Sequence, residues 1–286
     1  MLLHLRMFGM AHNASDSNLA SSCDSEPVLL EILHSTAVRI HKNEDRDECL
    51  EKGEMAYFLV ADGHGGPQVA DIARDDLLMS IITRAAVAPL EDAMHTAFLE
   101  LHARARRDYA AAGTTATVVA IDRRTRSITC ANVGDSHGYL VLPEKLVPLG
   151  VDHRFDTNVE EKQRVVKQGG KIGRAVHAAT GQPSGPLRAF PGGLAMGRSI
   201  GDLDCGDWVL AAPSVQQAQL PLEGGWVVIC SDGVWDALDA EAVARIVREA
   251  STPATAADKV APTQTPTQTL NTAPCLSCVH RSAPRP

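Results

Sequence analysis

Five short apolar runs constrain the fold of this 286-residue chain more than any other feature of its sequence. Each run is rich in β-branched residues and is bordered by glycine or charged residues, which is typical of strands in a packed sheet. The runs are AYFLVA, TTATVVAI, SITCANVG, GYLVLP and GWVVICS. Two amphipathic helical stretches lie between the first and second runs, after Pro67 and around Phe98. This order predicts an α+β protein with helices outside packed sheets, not a repeat of βαβ units.

The composition divides the chain into three parts. Residues 1–26 include a Ser-, Asn- and Asp-rich stretch with no sustained period, which predicts a flexible N-terminal extension. Residues 27–250 carry the apolar runs and helical patterns, which predicts one large domain. Residues 251–286 are rich in Thr, Pro, Gln and Ser, which predicts a disordered C-terminal tail.

Charge and cysteine content narrow the classes of partner and compartment. A formal net charge of -8 disfavours nucleic acid or an anionic membrane as the main partner. No apolar run approaches the length needed to cross a bilayer. Seven cysteines, an odd number, are interpreted as free thiols in a reducing compartment. We therefore expect an intracellular protein, cytoplasmic or nuclear, without a membrane span, and a monomer.

Acidic residues stand beside glycine directly after three of the apolar runs. The pairs are Asp62-Gly63, Gly134-Asp135 and Asp232-Gly233. A carboxylate at the end of a strand is held by rigid backbone, and glycine lets a carbonyl or a ligand approach closely. Mg²⁺ and Mn²⁺ prefer carboxylate and carbonyl oxygens. One such pair alone is more often a plain turn, but three after buried strands predict a shared metal site.

Further acids lie close to these pairs along the chain. Asp236 follows Asp232 by four residues, within reach of the same pocket. Glu44 and Asp45 stand upstream in the segment NEDR, which by itself would be interpreted as a solvated charged loop. These acids extend the predicted metal site.

Seven motifs follow one another in order between Val28 and Ala250. They are RIHKNEDR, VADGHGG, AGTTATVV, ANVGDSHGYL, LGVDHRFD, GGLAMGRSIGD and VVICSDGVWD. This set resembles the metal-dependent protein phosphatases of the protein phosphatase 2C family. The resemblance implies a four-layer α-β-β-α sandwich of two antiparallel sheets flanked by helices. It also implies a centre of two Mg²⁺ or Mn²⁺ ions that hydrolyses phosphoserine and phosphothreonine in phosphoprotein substrates by metal-activated water.

The resemblance also assigns metal ligands on the N-terminal side of the centre. It implies that Asp62 bridges the two ions and that Gly63 offers its carbonyl oxygen. It further implies that Asp45, with Glu44 beside it, holds the centre from the upstream loop, partly through water.

Residues of the C-terminal half complete the ligand set that the resemblance implies. Asp232 would bind the second ion. Asp135 and Asp236 would help to form a weaker third metal site.

Two further residues take catalytic roles by resemblance. His64 would protonate the leaving serine or threonine oxygen, because an alkoxide leaves poorly unless it is protonated. The alternatives for His64 are a metal ligand or a plain polar loop residue. Arg39 is the candidate clamp for the phosphate, with a planar bidentate guanidinium. The family arginine stands five residues before the metal-binding Asp, whereas Arg39 stands six before Asp45, so one inserted residue or a different arginine must be allowed.

Three other segments carry weaker expectations. Residues 154–192 have the glycine and polar content of a mobile flap, which in the family influences substrate choice. The motif with Ser199 and Asp202 is interpreted as mainly structural support of the cleft. His137 replaces an arginine that is usual in the family, and we expect no catalytic role for it.

The resemblance stops near the C-terminus. The family continues with a helix and then an Asp-Asn pair, whose Asp ligates the second ion, leading into a final strand. Here PATAADKVA resembles the start of that helix, and no acid follows Asp258. We therefore expect the last strand to be missing, leaving its partner strand with unpaired backbone groups. Asp258 is an alternative ligand, but it stands where a helix is expected, before the position that the family ligand occupies.

The sequence leaves three functions open. The first is a metal-dependent serine/threonine phosphatase, impaired at its second metal by the lost ligand. The second is a pseudophosphatase that binds phosphoproteins or a regulator without turnover. The third is a phosphatase of small phosphoesters.

Overall fold

A computed structural model describes residues 3–9, 29–39, 42–177 and 180–261 of the chain, and its strands form two main antiparallel sheets. The strands, numbered in chain order, are β1 Leu3–Gly9, β2 Leu33–Arg39, β3 Arg46–Lys52, β4 Met55–Ala61, β5 Gly63–His64, β6 Gly113–Thr114, β7 Ala116–Asp122, β8 Ser127–Val133, β9 His137–Val141, β10 Leu146–Pro148, β11 Lys171–Val176, β12 Pro183–Phe190, β13 Ile200–Gly201, β14 Ser214–Gln219 and β15 Trp226–Cys230. One main sheet has the order β10-β9-β15-β1-β2, and the other has the order β14-β8-β7-β4-β3.

Seven α-helices accompany the strands in the described part of the chain. They are α1 Gln68–Ile72, α2 Leu78–Ala85, α3 Leu90–Asp108, α4 Val159–Lys167, α5 Asp232–Trp235, α6 Ala240–Arg248 and α7 Pro253–Val260. A π-helical turn, Ala73–Leu77, joins α1 to α2, and a short 3₁₀ turn covers Leu203–Cys205. None of the helices in the described ranges is long and apolar enough to span a membrane.

The layers follow from the alternation of side chains along the central strands. On β4, Phe58 faces a core shared with Ile229 of the other sheet, whereas its neighbour Leu59 faces Phe98 on the helical side. On β15, Val228 faces the opposite way from Ile229 and packs with Val247 of α6. Helices therefore cover the outer face of each sheet, which confirms the expected α+β sandwich.

Both ends of the predicted domain differ from expectation. Leu3–Gly9 is not part of an extension but a strand, β1, that pairs antiparallel with β15 and with β2. Its register places Leu5 opposite Cys230 on one side and opposite Ala37 on the other. The structure thus corrects the predicted boundary at residue 26 for this segment. The rest of the predicted extension that precedes residue 29 lies outside the described residues.

The predicted tail also begins too early. Residues 253–260 form α7, which starts with a capping box at Thr252 and Thr255 and buries Ala256 and Val260 against the sheet side of α6. Residues 262–286 lie outside the described residues. In the described part of the chain, β15 is hydrogen-bonded to β9 on one side and to β1 on the other, so it has no unpaired edge there.

Candidate metal and catalytic site

The turn after β4 is fixed by the neighbouring strand. The N–H of Asp62 donates to the Thr115 hydroxyl at 3.0 Å, and the N–H of Thr115 donates to the Asp62 carbonyl at 2.9 Å. At Gly63 a Cβ atom would lie 2.4 Å from the backbone oxygen of Glu44, so a side chain does not fit. The acid and glycine are therefore set in one geometry by the backbone, as a rigid ligand pair requires.

The upstream loop is held against the same turn. The Arg46 guanidinium donates to Asp71 at 2.6 Å and to the backbone carbonyl of Asp45 at 2.7 Å. Glu44 accepts a hydrogen bond from the N–H of Gly66 at 3.0 Å, so its carboxylate ties the loop to the glycine turn. Arg46 is thereby committed to the loop, and it is not free to bind a phosphate.

Three of the predicted ligands come together in a chain of contacts. The Asp62 carboxyl lies within hydrogen-bonding reach of Asp45 on one side and of Asp232 on the other. In the described residues, only one group of three candidate ligand side chains has all its ligand atoms within 4.8 Å of one another. This group is Asp202, Asp204 and Cys205. Asp45, Asp62 and Asp232 therefore do not converge on one point, and Asp62 is the middle member of a row.

Crowding and burial disfavour negative charge in this row. Burial and repulsion from Asp232 raise the pKa of Asp62 well above its ordinary value. Burial raises the pKa of Asp45 to about 6, and burial followed by repulsion from Asp236 raises that of Asp232. The Oδ2 atom of Asp45 is buried and has no hydrogen-bond partner among the described residues.

These features fit a row of carboxylates that binds divalent cations. An orphaned, buried carboxylate oxygen costs free energy unless a donor or cation meets it. Clustered hard oxygen ligands are the donors that Mg²⁺ and Mn²⁺ prefer. The middle position of Asp62 suits a carboxylate shared between two ions, as the resemblance implies.

Asp135 and Asp236 occupy different environments. Asp135 is buried, and burial followed by repulsion from Asp232 raises its pKa to about 7. Asp236 is exposed and accepts a hydrogen bond from Arg154 at 2.5 Å. Arg154 also binds Asp152 at 3.0 Å, and although burial opposes it, the charge of Asp152, the bond to Asp236 and the charge of Asp135 raise the pKa of the guanidinium. A protein cation thus lies among the residues that the sequence suggests for a third metal.

Two buried histidines brace the loop that carries Asp135. The His153 ring bonds the Gly134 carbonyl at 2.9 Å and the Ser214 hydroxyl at 2.9 Å. The His137 ring approaches the Asp135 carbonyl at 3.0 Å and stacks on Trp235, with centroids 4.9 Å apart. His137 therefore serves packing and loop geometry.

His64 meets a carboxylate that the sequence does not bring to it. Its Nε2 atom lies 2.9 Å and 3.0 Å from the two carboxylate oxygens of Asp202. Burial alone would lower the pKa of His64, but the Asp202 carboxylate outweighs it, and the pKa is raised. The His64 side chain is 29% exposed, whereas that of Asp202 is 2% exposed, so the histidine reaches solvent and the acid lies behind it.

The Asp202 carboxylate is held from several sides. Its backbone has φ 57°, the left-handed conformation that is uncommon outside glycine, and the Ser199 hydroxyl donates to its side chain. At Gly113 a Cβ would lie 2.2 Å from Asp202 Oδ2, so β6 leaves the space the carboxylate needs. The motif expected to be structural support therefore contacts the candidate catalytic histidine directly. In the sequence, Asp202 stands beside Gly201, which indicates a turn with an acid, but this local pattern does not indicate which residue the acid contacts.

Arg39 is placed only by its backbone. It is the last residue of β2 and pairs with Leu3 of β1. Its side chain lies outside what the structure describes, so its role as phosphate clamp stays a prediction.

Comparison with known proteins identifies the family of the chain. Residues 30–266 match the family model described as Protein phosphatase 2C, and the chain belongs to the protein phosphatase 2C family. It is 40% identical over 203 residues to "Probable protein phosphatase 2C 3" of Oryza sativa subsp. japonica, a match covering 68% of this chain and 41% of that protein. It is 36% identical over 230 residues to "Probable protein phosphatase 2C 69" of the same plant, covering 74% and 54%. The chain spans about half the length of the curated relatives it matches.

Solved structures share the fold. A C. elegans sex determining protein superposes with a TM-score of 0.67 at 22% identity, covering 78% of this chain and 59% of that one. A serine-threonine phosphatase 2C from Toxoplasma gondii superposes with a TM-score of 0.61 at 18% identity, covering 78% and 84%. At these identities the likeness shows the architecture alone.

Proposed function

We propose that the protein is a metal-dependent serine/threonine phosphatase that hydrolyses phosphoserine and phosphothreonine in phosphoprotein substrates. The observation that carries the proposal is the row of Asp45, Asp62 and Asp232, with an orphaned buried oxygen at one end. Membership of the protein phosphatase 2C family supports the same reaction class. A buried or half-buried row of like charges is energetically costly, and bound cations would offset that cost.

The carboxylate row and one backbone oxygen would hold the cations. Asp45, Asp62, the Gly63 carbonyl and Asp232 would hold two Mg²⁺ or Mn²⁺ ions. When bound, such ions lower the pKa of water and neutralise charge on the phosphoryl oxygens. Arg39 remains our candidate for orienting the phosphate from the end of β2.

His64 would carry the proton for the leaving group, and Asp202 would orient it. With Nε2 donating to Asp202, Nδ1 is the ring nitrogen left to hold a proton for the serine or threonine oxygen. The raised pKa of His64 keeps the ring protonated closer to neutral pH, as a general acid needs. Asp202 does not touch substrate in this scheme and acts as a positioning residue.

We propose that the ion beside Asp232 is held more weakly than the ion beside Asp45. Of the described acids near Asp232, Asp236 is exposed and bound to Arg154. Asp258 lies on the exposed face of α7 and does not supply a substitute. Activity would then need a higher concentration of free metal than a full ligand set requires.

A metal-dependent turnover assay tests the function. Wild type and Asp62→Asn are compared on a phosphothreonine peptide and on p-nitrophenyl phosphate, with Mn²⁺, with Mg²⁺ and with chelator. We expect turnover that needs metal and is lost in Asp62→Asn. Absence of metal-dependent turnover, together with tight binding of the phosphopeptide, would replace the proposal by a pseudophosphatase. Turnover of the small ester without any peptide preference would indicate a small-phosphoester phosphatase.

A further inference from the structure

One face of helix α4 is hydrogen-bonded to the rest of the domain, here called the bonded face, and another is exposed to solvent, here called the open face. On the bonded face, Glu161 is buried and accepts hydrogen bonds from Arg164 and Arg198, both at 2.7 Å. The open face carries a stripe at helical spacing, namely Val159, Lys162, Gln163, Val166 and Lys167. The stripe lines a groove of about 540 Å³ together with Phe155 and Leu187.

The groove combines apolar surface with unpaired positive charge. Val159 is 62% exposed and Val166 is 53% exposed, an unusual state for valines on a helix of a packed domain. Within the described part of the chain, the side chains of Lys162 and Lys167 form no ion pair. An apolar floor between two free cations is the surface that an acidic segment with apolar residues would complement.

The groove lining carries more positive than negative charge. Of the seven Lys and Arg in residues 162–201, Arg164 and Arg198 bind Glu161 and Arg174 binds Asp156, whereas Lys162 and Lys167 line the groove. The one acid that lines the groove is Asp156, and its carboxylate is taken by Arg174 at 3.1 Å and by the N–H of Leu187 at 2.9 Å. The lysine charges therefore face outward without an internal counter-charge.

The groove is connected to the candidate catalytic centre through two consecutive residues. Phe155 lines the groove, and the preceding residue Arg154 reaches Asp236, four residues after Asp232. On the proposal below, a docked segment extends from the groove toward Asp236.

We propose that this groove docks an acidic segment with interspersed apolar residues, carried by the phosphoprotein substrate. The inference rests on the proposed function and names the substrate class for it, namely phosphoproteins with Asp- and Glu-rich sequence near the phosphorylated residue. The two valines contact the apolar residues of the segment, and the lysines meet its carboxylates. The chain's own residues 262–286 contain no acid and are a poor match.

A binding experiment tests the docking without using turnover. Fluorescence anisotropy measures a labelled, unphosphorylated peptide with alternating acidic and leucine residues, against a control peptide in which Asn and Gln replace the acids. We expect Lys162→Glu/Lys167→Glu to weaken binding of the acidic peptide about five- to tenfold, and salt to weaken it as well. Lys52→Glu/Lys145→Glu, an equal charge change at exposed residues at the end of β3 and between β9 and β10, should have no effect. Equal weakening by both double variants would overturn the groove as the site.

A turnover arm separates the docking from the proposed function. For phosphopeptides that carry the acidic segment, kcat/KM should fall about fivefold in Lys162→Glu/Lys167→Glu, with p-nitrophenyl phosphate turnover unchanged. If the protein shows no turnover but its peptide binding is weakened by the double variant, the docking proposal stands and the phosphatase proposal is rejected. If the protein shows turnover without preference for the acidic segment, the phosphatase proposal stands and the docking proposal is rejected. Tighter peptide binding when Asp16, Asp24 and Glu26 are replaced by Asn and Gln would assign the groove to the chain's own residues 10–28 and overturn the proposal.

Discussion

The two sides of the carboxylate row are built differently. On the turn side, residues 44–66, hydrogen bonds with Thr115, Arg46 and Gly66 hold the backbone of Asp62 and the loop of Glu44 and Asp45, and His64 contacts Asp202. On the helix side, residues 232–236, the short helix α5 begins at the half-buried Asp232, and the exposed Asp236 directly after the helix is bound by Arg154. The difference teaches that one half of the site is preorganised, whereas the other half depends on a surface ion pair that is worth little in water.

The largest expected effect comes from removing charge on the turn side. Asp45→Asn should lower metal-dependent kcat about 10³-fold, because a ligand to the ion is lost while the surrounding loop stays braced. The same change should raise the melting temperature of the metal-free protein, since it removes one of several repelling carboxylates. Steady-state kinetics and calorimetry on the same variant check both signs. A fall in the melting temperature of the metal-free variant would contradict the inference that the carboxylates of this row repel one another when no cation is bound.

The second expected effect concerns the contact behind His64. Asp202→Asn should slow hydrolysis of a phosphoserine peptide about 30-fold, because a serine alkoxide needs a proton from a well-oriented acid. Hydrolysis of p-nitrophenyl phosphate should slow less than about threefold, since nitrophenolate leaves without one. A purely structural role of Asp202 would slow both substrates equally. Asp204→Asn, on the exposed neighbouring acid, serves as the control.

The third expected effect is a pH dependence that metal reverses. Asp45 and Asp135 have folded-state pKa values of about 6 and about 7, above the ordinary 3.8. Between about pH 4 and pH 7 the folded metal-free protein therefore holds protons that the unfolded chain has released, so its stability falls as pH rises through this window. We expect a melting temperature about 5 °C lower at pH 7.5 than at pH 5 without metal. With Mn²⁺ the trend should invert, because the ions bind the deprotonated carboxylates.

The smallest expected effect lies on the helix side. Asp236→Asn removes an exposed acid that is already paired with Arg154, so the Mn²⁺ concentration for half-maximal activity should rise only about two- to threefold. Titration of activity with Mn²⁺ gives this value directly. A loss as large as that in Asp45→Asn would mean that the two sides contribute equally.

Local pattern predicted the parts of the site that depend on strand ends. Asp62 and Asp232 follow apolar runs, and the rigid exits of β4 and β15 bring them together as expected. The contact of His64 with Asp202 joins residues far apart in sequence and depends on a left-handed backbone at Asp202, neither of which a local pattern encodes. The ion pair of Arg154 with Asp236 likewise joins residues far apart in sequence, so a local pattern does not predict it.

The boundaries of the domain were predicted less well than its centre. Around β1, the alternation of Leu3, Leu5 and Met7 with His4 and Arg6 was a usable strand signal, but the polar segment that follows outweighed it. At the other end, the change of composition after Ala250 obscured a helix whose capping residues, Thr252 and Thr255, are themselves part of the Thr-rich stretch. Average composition is a poor guide where a short element is held by its packing.

The position of β1 sets an order for assembly of the chain. β1 leaves the ribosome before both of its register partners, β2 and β15, and β15 is synthesised near the end of the described sequence. Pairings of such high sequence separation carry a large entropic cost and form slowly. During synthesis, β1 can pair on one side only until β15 emerges. The sheet that supports Asp232 is consequently among the last parts of the molecule to close, and its exposed backbone edge is the segment most in need of protection from misassembly in the meantime.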